Sequence, residues 1–570
     1  RVQGGTEVWQ EEGARVDPGA RLVGPVYLGR GTVVEAGAEV GPYAVLGEYC
    51  LVRSGASVRR SILWSRTVVD RGAELRGVVA ADGVRFKARS AAFEGAVLGS
   101  RACVEEEATV RPQVKVWPYK QVGEGVTLSS SLVWGERAPR HLFGLRGVSG
   151  LANVELTPEL VVRLGAAFAA LLPAGSWLGV SADHSSAARL LKGALVSGLL
   201  SAGAQVCDLG LLPSPAARFA IPSLSLKGGV HLRQVEEVGR VLVEFLDEQG
   251  LTLERGRQRA LENLYYREDF GRVSGGAIGE VTCRAEGMER YLQALVASVD
   301  RAALLSAGLK VAAAAVPLSL EPVLPQLLGQ LGCRIQPAPP TLAGVAEAVR
   351  AGRCQVGFLV DEDGERLWLV DEGAQVVRQE LLLPLAALLA LRRFRTAAVP
   401  VTASQAVETL AEHLGGRVIR TKASLRAVLE PLRAKVAGGA LPSSFDALAT
   451  AVFLLEALAQ EKRALTKLLA EIPEFHQAKA AVPCPWEAKG WVMRALLGQL
   501  KGQRVELTDG VKVFHDEGWA LVLPDAELPR FNVWGEGRTQ EEAQRLVSDY
   551  AGRIASFLGA LCASEEAQSR

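Results

Sequence analysis

Eight aliphatic residues stand six apart near the start of the sequence: Val16, Leu22, Leu28, Val34, Val40, Leu46, Val52 and Val58. That spacing suits neither a helix of 3.6 residues per turn nor a plain strand, whose side chains alternate every two residues. It suits a β-helix, in which each six residues supply one short strand and one corner, and three such sides close a coil with aliphatic side chains on its axis. After a change of register the ladder continues through Leu63, Val69 and Leu75, and it returns at Phe86, Ala92, Leu98, Val104, Val110 and Val116. Gly19, Gly31, Gly37 and Gly55 each follow a ladder residue by three positions, where the chain must turn tightly. The pattern predicts a β-helix within residues 1–140, fading near Val133, where Gly135 and Pro139 interrupt it. Some proteins with this repeat are acyltransferases that use a histidine between coils as general base. The six histidines here, from His141 to His515, all lie beyond the ladder, which argues against that chemistry.

At 570 residues the chain exceeds a single core and predicts four or five domains. Its 64 Lys and Arg nearly balance 63 Asp and Glu, so no basic field points to nucleic acid and no acidic tail to a basic partner. The eight cysteines form no Cys-x-x-Cys pair, as expected of reduced thiols in a cytoplasmic protein. No membrane span is expected, because the apolar stretch 302–320 contains Lys310 and 381–391 is too short. The sequence opens on Arg1 in strand-like residues, and a further upstream segment is expected.

Beyond the ladder the architecture changes. Thr157 as N-cap, Pro158 at the first helical position and Glu159 in the first turn open a helix to Leu172. A strand at 177–180, a helix at 187–202 and a strand at 205–209 then set a βαβ rhythm that recurs twice, ending near Leu432. The last part, with a helix at 487–499, strands near 505–507, 511–514 and 520–523 and a helix at 540–557, reads as α+β.

The motifs in this half are specific. Leu156-Thr157-Pro158-Glu159, Ser197-Gly198-Leu199, Asp208-Leu209-Gly210 and Pro213-Ser214-Pro215 resemble the first domain of the α-D-phosphohexomutases. Asp361-Glu362-Asp363-Gly364-Glu365-Arg366 is similar to that family's metal loop, and Thr508-Asp509-Gly510-Val511-Lys512-Val513 to the strand opening its fourth domain. With the β-helix in front, and Trp117-Pro118-Tyr119-Lys120 and Leu142-Phe143-Gly144 at the junction, the chain resembles bacterial mannose-1-phosphate guanylyltransferase and phosphomannomutase-like fusions. In those fusions a sugar nucleotidyltransferase domain precedes the β-helix, and nothing in this sequence resembles its glycine-rich nucleotide loop. The resemblance implies a left-handed hexapeptide-repeat β-helix followed by three α/β phosphohexomutase-like domains at 150–280, 281–378 and 379–485 and an α+β domain at 486–570.

The resemblance also implies a phosphate-carrying serine shortly after Gly228-Gly229, and counting along the segment puts Val235 there. Valine cannot carry phosphate. Of the neighbouring residues, His231 and Arg233 are candidates for an anion or sugar phosphate, together with Arg366. Asp361, Asp363 and Glu365, at alternate positions, are the candidate ligands of Mg²⁺. Three further family elements are altered: the arginine expected beside Asp183-His184-Ser185-Ser186, the glutamate of the sugar-reading stretch at 437–444, and the phosphate loop, replaced by 523–529 with its Asp525 and Glu527.

These losses lead to an expectation of a non-catalytic, homo-oligomerising and sugar-phosphate-sensing or sugar-nucleotide-sensing portion of a sugar-nucleotide pyrophosphorylase, a mutase pseudoenzyme whose parent chain is a nucleotidyltransferase. The alternative is an active phosphomannomutase or phosphoglucomutase with a displaced nucleophile.

Overall fold

The computed structural model describes residues 7–128, 131, 132, 137, 138, 142–235, 239–316, 322–433, 445–516, 518–525 and 529–568. The chain divides into two compact units, one of Arg1–Leu142, Gly150–Thr157 and Arg259–Asp269, the other of Phe143–Ser149, Pro158–Gln258 and Phe270–Arg570.

The first unit contains three parallel sheets of two- and three-residue strands, as a repeat β-helix requires. Successive coils stack in register, so Leu28, Leu46, Leu63, Ala80, Leu98 and Val116 form one inward column. The change of register in the ladder has a simple cause. Val26 pairs with Ala44, eighteen residues on, but Ile62 pairs with Val79, only seventeen on. The missing residue comes from the same corner in two coils, between Val58 and Leu63 and between Leu75 and Ala80. Ala80 is therefore a ladder residue that a strict count of six passes over.

Corners need a left-handed residue, but not always glycine. Tyr49, Arg66, Arg101 and Tyr119 take φ values of 56, 59, 58 and 63. Their side chains point out of the coil, and the Arg101 guanidinium lies 5.7 Å from the Tyr119 ring centroid. Gly41 is different, because φ is +102 and a Cβ would lie 1.9 Å from the Val23 carbonyl oxygen. Gly41→Ala is therefore expected to cost at least ~2 kcal/mol, read as a fall in the urea midpoint of the β-helix signal.

In the second unit, helix α1 (Pro158–Ala170) precedes strand β1 (Trp177–Ala182), α2 (Ser186–Ser201), β2 (Gln205–Leu211), α3 (Ser214–Ser223), β3 (Gly228–Gln234), β4 (Arg240–Asp247) and β5 (Val281–Cys283). Five strands of a six-stranded sheet run β4-β3-β1-β2-β5, parallel to one another except for β4. Close packing of α1 on α2 depends on small residues, since a Cβ on Gly198 would meet the Val162 carbonyl oxygen at 2.0 Å.

Helix α4 (Gly287–Ala297) leads to a second sheet of β6 (Lys310–Ala315), β7 (Arg334–Pro337), β8 (Val356–Val360) and β9 (Leu367–Val370), ordered β7-β6-β8-β9, with α5 (Leu342–Gly352) against it. Next come α6 (Leu382–Phe394), β10 (Thr396–Pro400), α7 (Ala406–Leu414), β11 (Arg417–Thr421), α8 (Leu425–Arg433) and the largely buried α9 (Ala447–Glu461).

The last sheet is antiparallel and contains β12 (His476–Pro483), β13 (Val505–Glu506), β14 (Val511–His515), β15 (Gly518–Pro524) and β16 (Arg530–Gly537), in the order β12-β16-β15-β14-β13. Helix α10 (Gln540–Gln568) packs on it, and the edge strand β12 precedes the boundary expected at residue 486. Among the described residues no helix is long and apolar enough to cross a membrane.

Candidate functional site

Strands β1 and β3 lie side by side, with Ser181 opposite His231. Ser181 Oγ and His231 Nδ1 are 2.9 Å apart, and each residue is only 1% exposed. Burial pushes the imidazole down to about 4, so His231 is neutral near pH 7, and its Nε2 has no hydrogen-bond partner among the described residues. One strand-end further, Asp183 joins two elements. Its Oδ2 accepts the Gln234 backbone N–H at 2.7 Å, while its Oδ1 accepts the Ser185 hydroxyl at 2.7 Å and the Ser185 N–H at 2.9 Å. Ser185 in turn caps α2 by accepting from the Ala188 N–H. Val235 follows directly, half-buried, with its N–H donated to the Arg240 carbonyl.

Arg233 shares the His231 face of β3, two residues on. It reaches a buried ionic cluster that brings residues far apart in sequence together. Arg146 donates from both Nη atoms to Glu365, at 2.6 and 2.7 Å, and from Nε to Glu244 at 2.8 Å. Arg218, on α3, donates to Glu365 at 2.5 Å and to the Phe445 carbonyl at 2.6 Å. Arg233 donates to Asp363, and its Nε lies 3.5 Å from Glu244. Arg218, Arg233, Glu244 and Glu365 are all buried. Burial alone raises a carboxyl group, but Arg218 and Arg146 overcome it and hold Glu365 well below the usual carboxylate range. Glu244 is lowered in the same way against its burial, by Arg146 and Arg233. Asp363 goes the other way, since burial outweighs Arg233 and pushes it up to about 7.

Comparison with known proteins places these residues in context. Residues 140–272 match the model for "Phosphoglucomutase/phosphomannomutase, alpha/beta/alpha domain I", and residues 22–132 match that for "GMPPB C-terminal domain". Two separate stretches of the chain are thus similar to a phosphoglucomutase/phosphomannomutase domain I and to a GMPPB C-terminal domain. A phosphoglucomutase/phosphomannomutase of Thermococcus kodakarensis is 28% identical over 438 residues, covering 71% of this chain and 96% of the relative. A protein of Pyrococcus abyssi named "Probable phosphoglucosamine mutase" is 26% identical, with the same coverage. A solved phosphoglucomutase/phosphomannomutase family protein from Burkholderia thailandensis shares the fold, with a TM-score of 0.62, 20% identity and coverage of 73% of this chain and 97% of that one.

In the second unit, four of the six carboxylate oxygens in the loop expected to bind Mg²⁺ accept hydrogen bonds from the protein itself. Asp361 Oδ1 accepts the N–H groups of Glu365 and Arg366 at 2.8 and 3.0 Å, Asp363 Oδ2 accepts from Arg233, and both Glu365 oxygens accept from arginines. Among the described residues no group of three His, Cys, Asp or Glu side chains is arranged to hold a metal ion. The donor set as it stands does not fit the cation. Arg366 is exposed and contributes backbone groups to this turn, whereas His231 and Arg233, the other two candidates for an anion, lie in the interior.

Arg146 and Arg218 were not among the expected site residues. Neither lies in a motif, and their partner Glu365 is 219 and 147 positions away. The sugar-reading stretch at 437–444 lies outside the described residues. Nearby, Asp446 caps α9, accepts the Tyr291 hydroxyl at 2.6 Å and is pushed up to about 6 by burial. In the stretch replacing the phosphate loop, Asp525 is paired through Oδ2 with Arg530 at 2.9 Å and Asn532 at 3.0 Å, while Glu527 lies outside the described residues.

The buried imidazole has a measurable consequence. Because His231 binds its proton less readily when folded, the unfolded chain takes up more protons between about pH 4 and pH 6.5, and this residue's contribution to stability falls as the pH drops through that window. Asp363, with a raised pKa, has the opposite dependence over an overlapping range. The two largely offset each other in the raw profile. The difference between wild type and His231→Gln isolates the histidine, and lowering the pH from 7 to 5 should destabilise wild type by about 2 kcal/mol more than the variant in urea titrations.

Proposed function

We propose that the second unit binds an α-D-hexose phosphate and acts as a phosphomannomutase/phosphoglucomutase-type intramolecular phosphotransferase. The observation carrying this reading is that the named relatives align over 71% of this chain and 96% of their own length, and both bear mutase names. On this reading the mutase-like part of the chain has four domains, at 150–280, 281–378, 379–485 and 486–570.

Phosphoryl transfer through the protein requires an acceptor hydroxyl in line with the transferred group. Val235 has none, so the carrier is a displaced residue. Ser185 is the candidate, because its hydroxyl is bonded to a carboxylate at 2.7 Å and Asp183 ties it to the strand end that carries Val235. The test is a coupled assay with mannose 1-phosphate or glucose 1-phosphate, a hexose bisphosphate activator and Mg²⁺, alongside phosphate incorporation from labelled bisphosphate. Turnover with phosphate in the protein, both lost in Ser185→Ala, is the expected result. Absence of both in the wild type would refute it.

A second reading is favoured by Val235 itself: a non-catalytic, oligomerising and sugar-phosphate-sensing portion of a sugar-nucleotide pyrophosphorylase. The match of residues 22–132 to a GMPPB C-terminal domain supports it. It predicts calorimetric binding of hexose phosphate or sugar nucleotide without turnover, a homo-oligomer in light scattering, and a nucleotidyltransferase reading frame upstream of Arg1.

A further inference from the structure

We propose that the carboxylate loop of Asp361, Asp363 and Glu365 is an internal charge lock, in which guanidinium groups stand where a divalent cation would otherwise supply the positive charge. The geometry behind this is the occupancy of the oxygens. Glu365 accepts three short N–H bonds from two arginines, both of its oxygens being used. Asp363 is held by Arg233, and Asp361 turns one oxygen back onto the backbone of its own loop. A cation entering here would have to displace Arg146 and Arg218 from Glu365 and leave guanidinium groups beside a dication, where like charges repel strongly in a poorly screened interior.

The carboxylates are already answered by positive charge without a metal. Arg146, Arg218 and Arg233 face Glu244, Asp363 and Glu365. Arginine suits this task, since its planar fork can satisfy both oxygens of a carboxylate while bonding a second acceptor. Arg146 does this with Glu365 and Glu244, while Arg218 donates to one oxygen of Glu365 and to the Phe445 carbonyl. The loop thereby links β4, α3 and the segment before α9 without an ion. Nothing in this assignment depends on whether the chain turns over sugar phosphate.

The test uses the full chain. In wild type, titration with MnCl₂ followed by electron paramagnetic resonance is expected to show no saturable site, and the melting temperatures in EDTA and in millimolar MgCl₂ are expected to coincide. A single Mn²⁺ site per chain that disappears in Asp363→Asn would overturn the proposal, whatever the mutase assay shows. Arg146→Ala, which removes the most exposed of the three guanidinium groups, is expected to melt lower and to recover several degrees with Mg²⁺, because the freed carboxylate oxygens then accept the ion. A folded Arg146→Ala protein indifferent to Mg²⁺ would also overturn it. Should that variant fail to fold, the wild-type measurements alone decide.

Discussion

Glu365→Gln is expected to destabilise the second unit by about 3–5 kcal/mol, because the substitution keeps the shape of the side chain but leaves Arg146 and Arg218 charged, buried and short of their shared partner. The measurement is a urea midpoint by near-ultraviolet circular dichroism. The cost belongs to the broken pair rather than to the intact one. Replacing Arg146, Arg218 and Glu365 together by methionine should therefore recover part of the loss, since the broken pair is gone and buried Glu244 keeps Arg233 at 3.5 Å. A triple variant no more stable than Glu365→Gln would show that the cluster itself, rather than avoidance of an unpaired charge, holds the fold. The acid response follows from the depressed pKa. The stability contributed by Glu365 is present above its unfolded pKa and is lost only as the pH falls through the much lower folded value. Mild acid at pH 5 should leave this contribution unchanged.

The second large effect lies in the β-helix. Phe86 is fully buried on the coil axis between Val69 and Val104 of the adjacent coils. Phe86→Ala removes a whole ring from a core made largely of Val, Leu and Ala, where the stacked backbones cannot move together to close the gap, and should cost about 3–5 kcal/mol. Ile62, which points outward from the same domain and is 44% exposed, provides the control. Ile62→Thr should change stability by less than about 0.5 kcal/mol. Equal losses in the two variants would mean that the axial column is not the source of the domain's stability.

These two predictions also mark where the sequence was readable. The six-residue ladder revealed the β-helix because its period is local, and the cap at Thr157-Pro158-Glu159 marked a helix start for the same reason. The seventeen-residue coils hid Ala80, since a shortened corner breaks a count while leaving the packing intact. Strands β4, β12 and β16 passed unnoticed. Each is defined by its partner across the sheet, and β12 meets β16 only after more than forty intervening residues. The candidate positions Val235, Asp361, Asp363 and Glu365 come from resemblance alone. Their environment was not legible in the sequence. A carboxylate at 365 looks the same in a sequence whether a cation or an arginine from position 146 answers it, and only the three-dimensional fold brings Arg146 within hydrogen-bond distance.

The stacking of coils in the first unit has one more consequence. Each coil adds one strand to every sheet, so the domain lengthens in steps of about 4.8 Å, the spacing between neighbouring strands. Register is kept when seventeen or eighteen residues enter or leave together, as the observed coils show. A one-residue change within a strand would rotate the inward column toward solvent, whereas a corner can lose one residue and keep it inside. Insertions and deletions here are therefore quantised, and a lineage can tune the length of this rod only by whole graduations, like marks on a ruler.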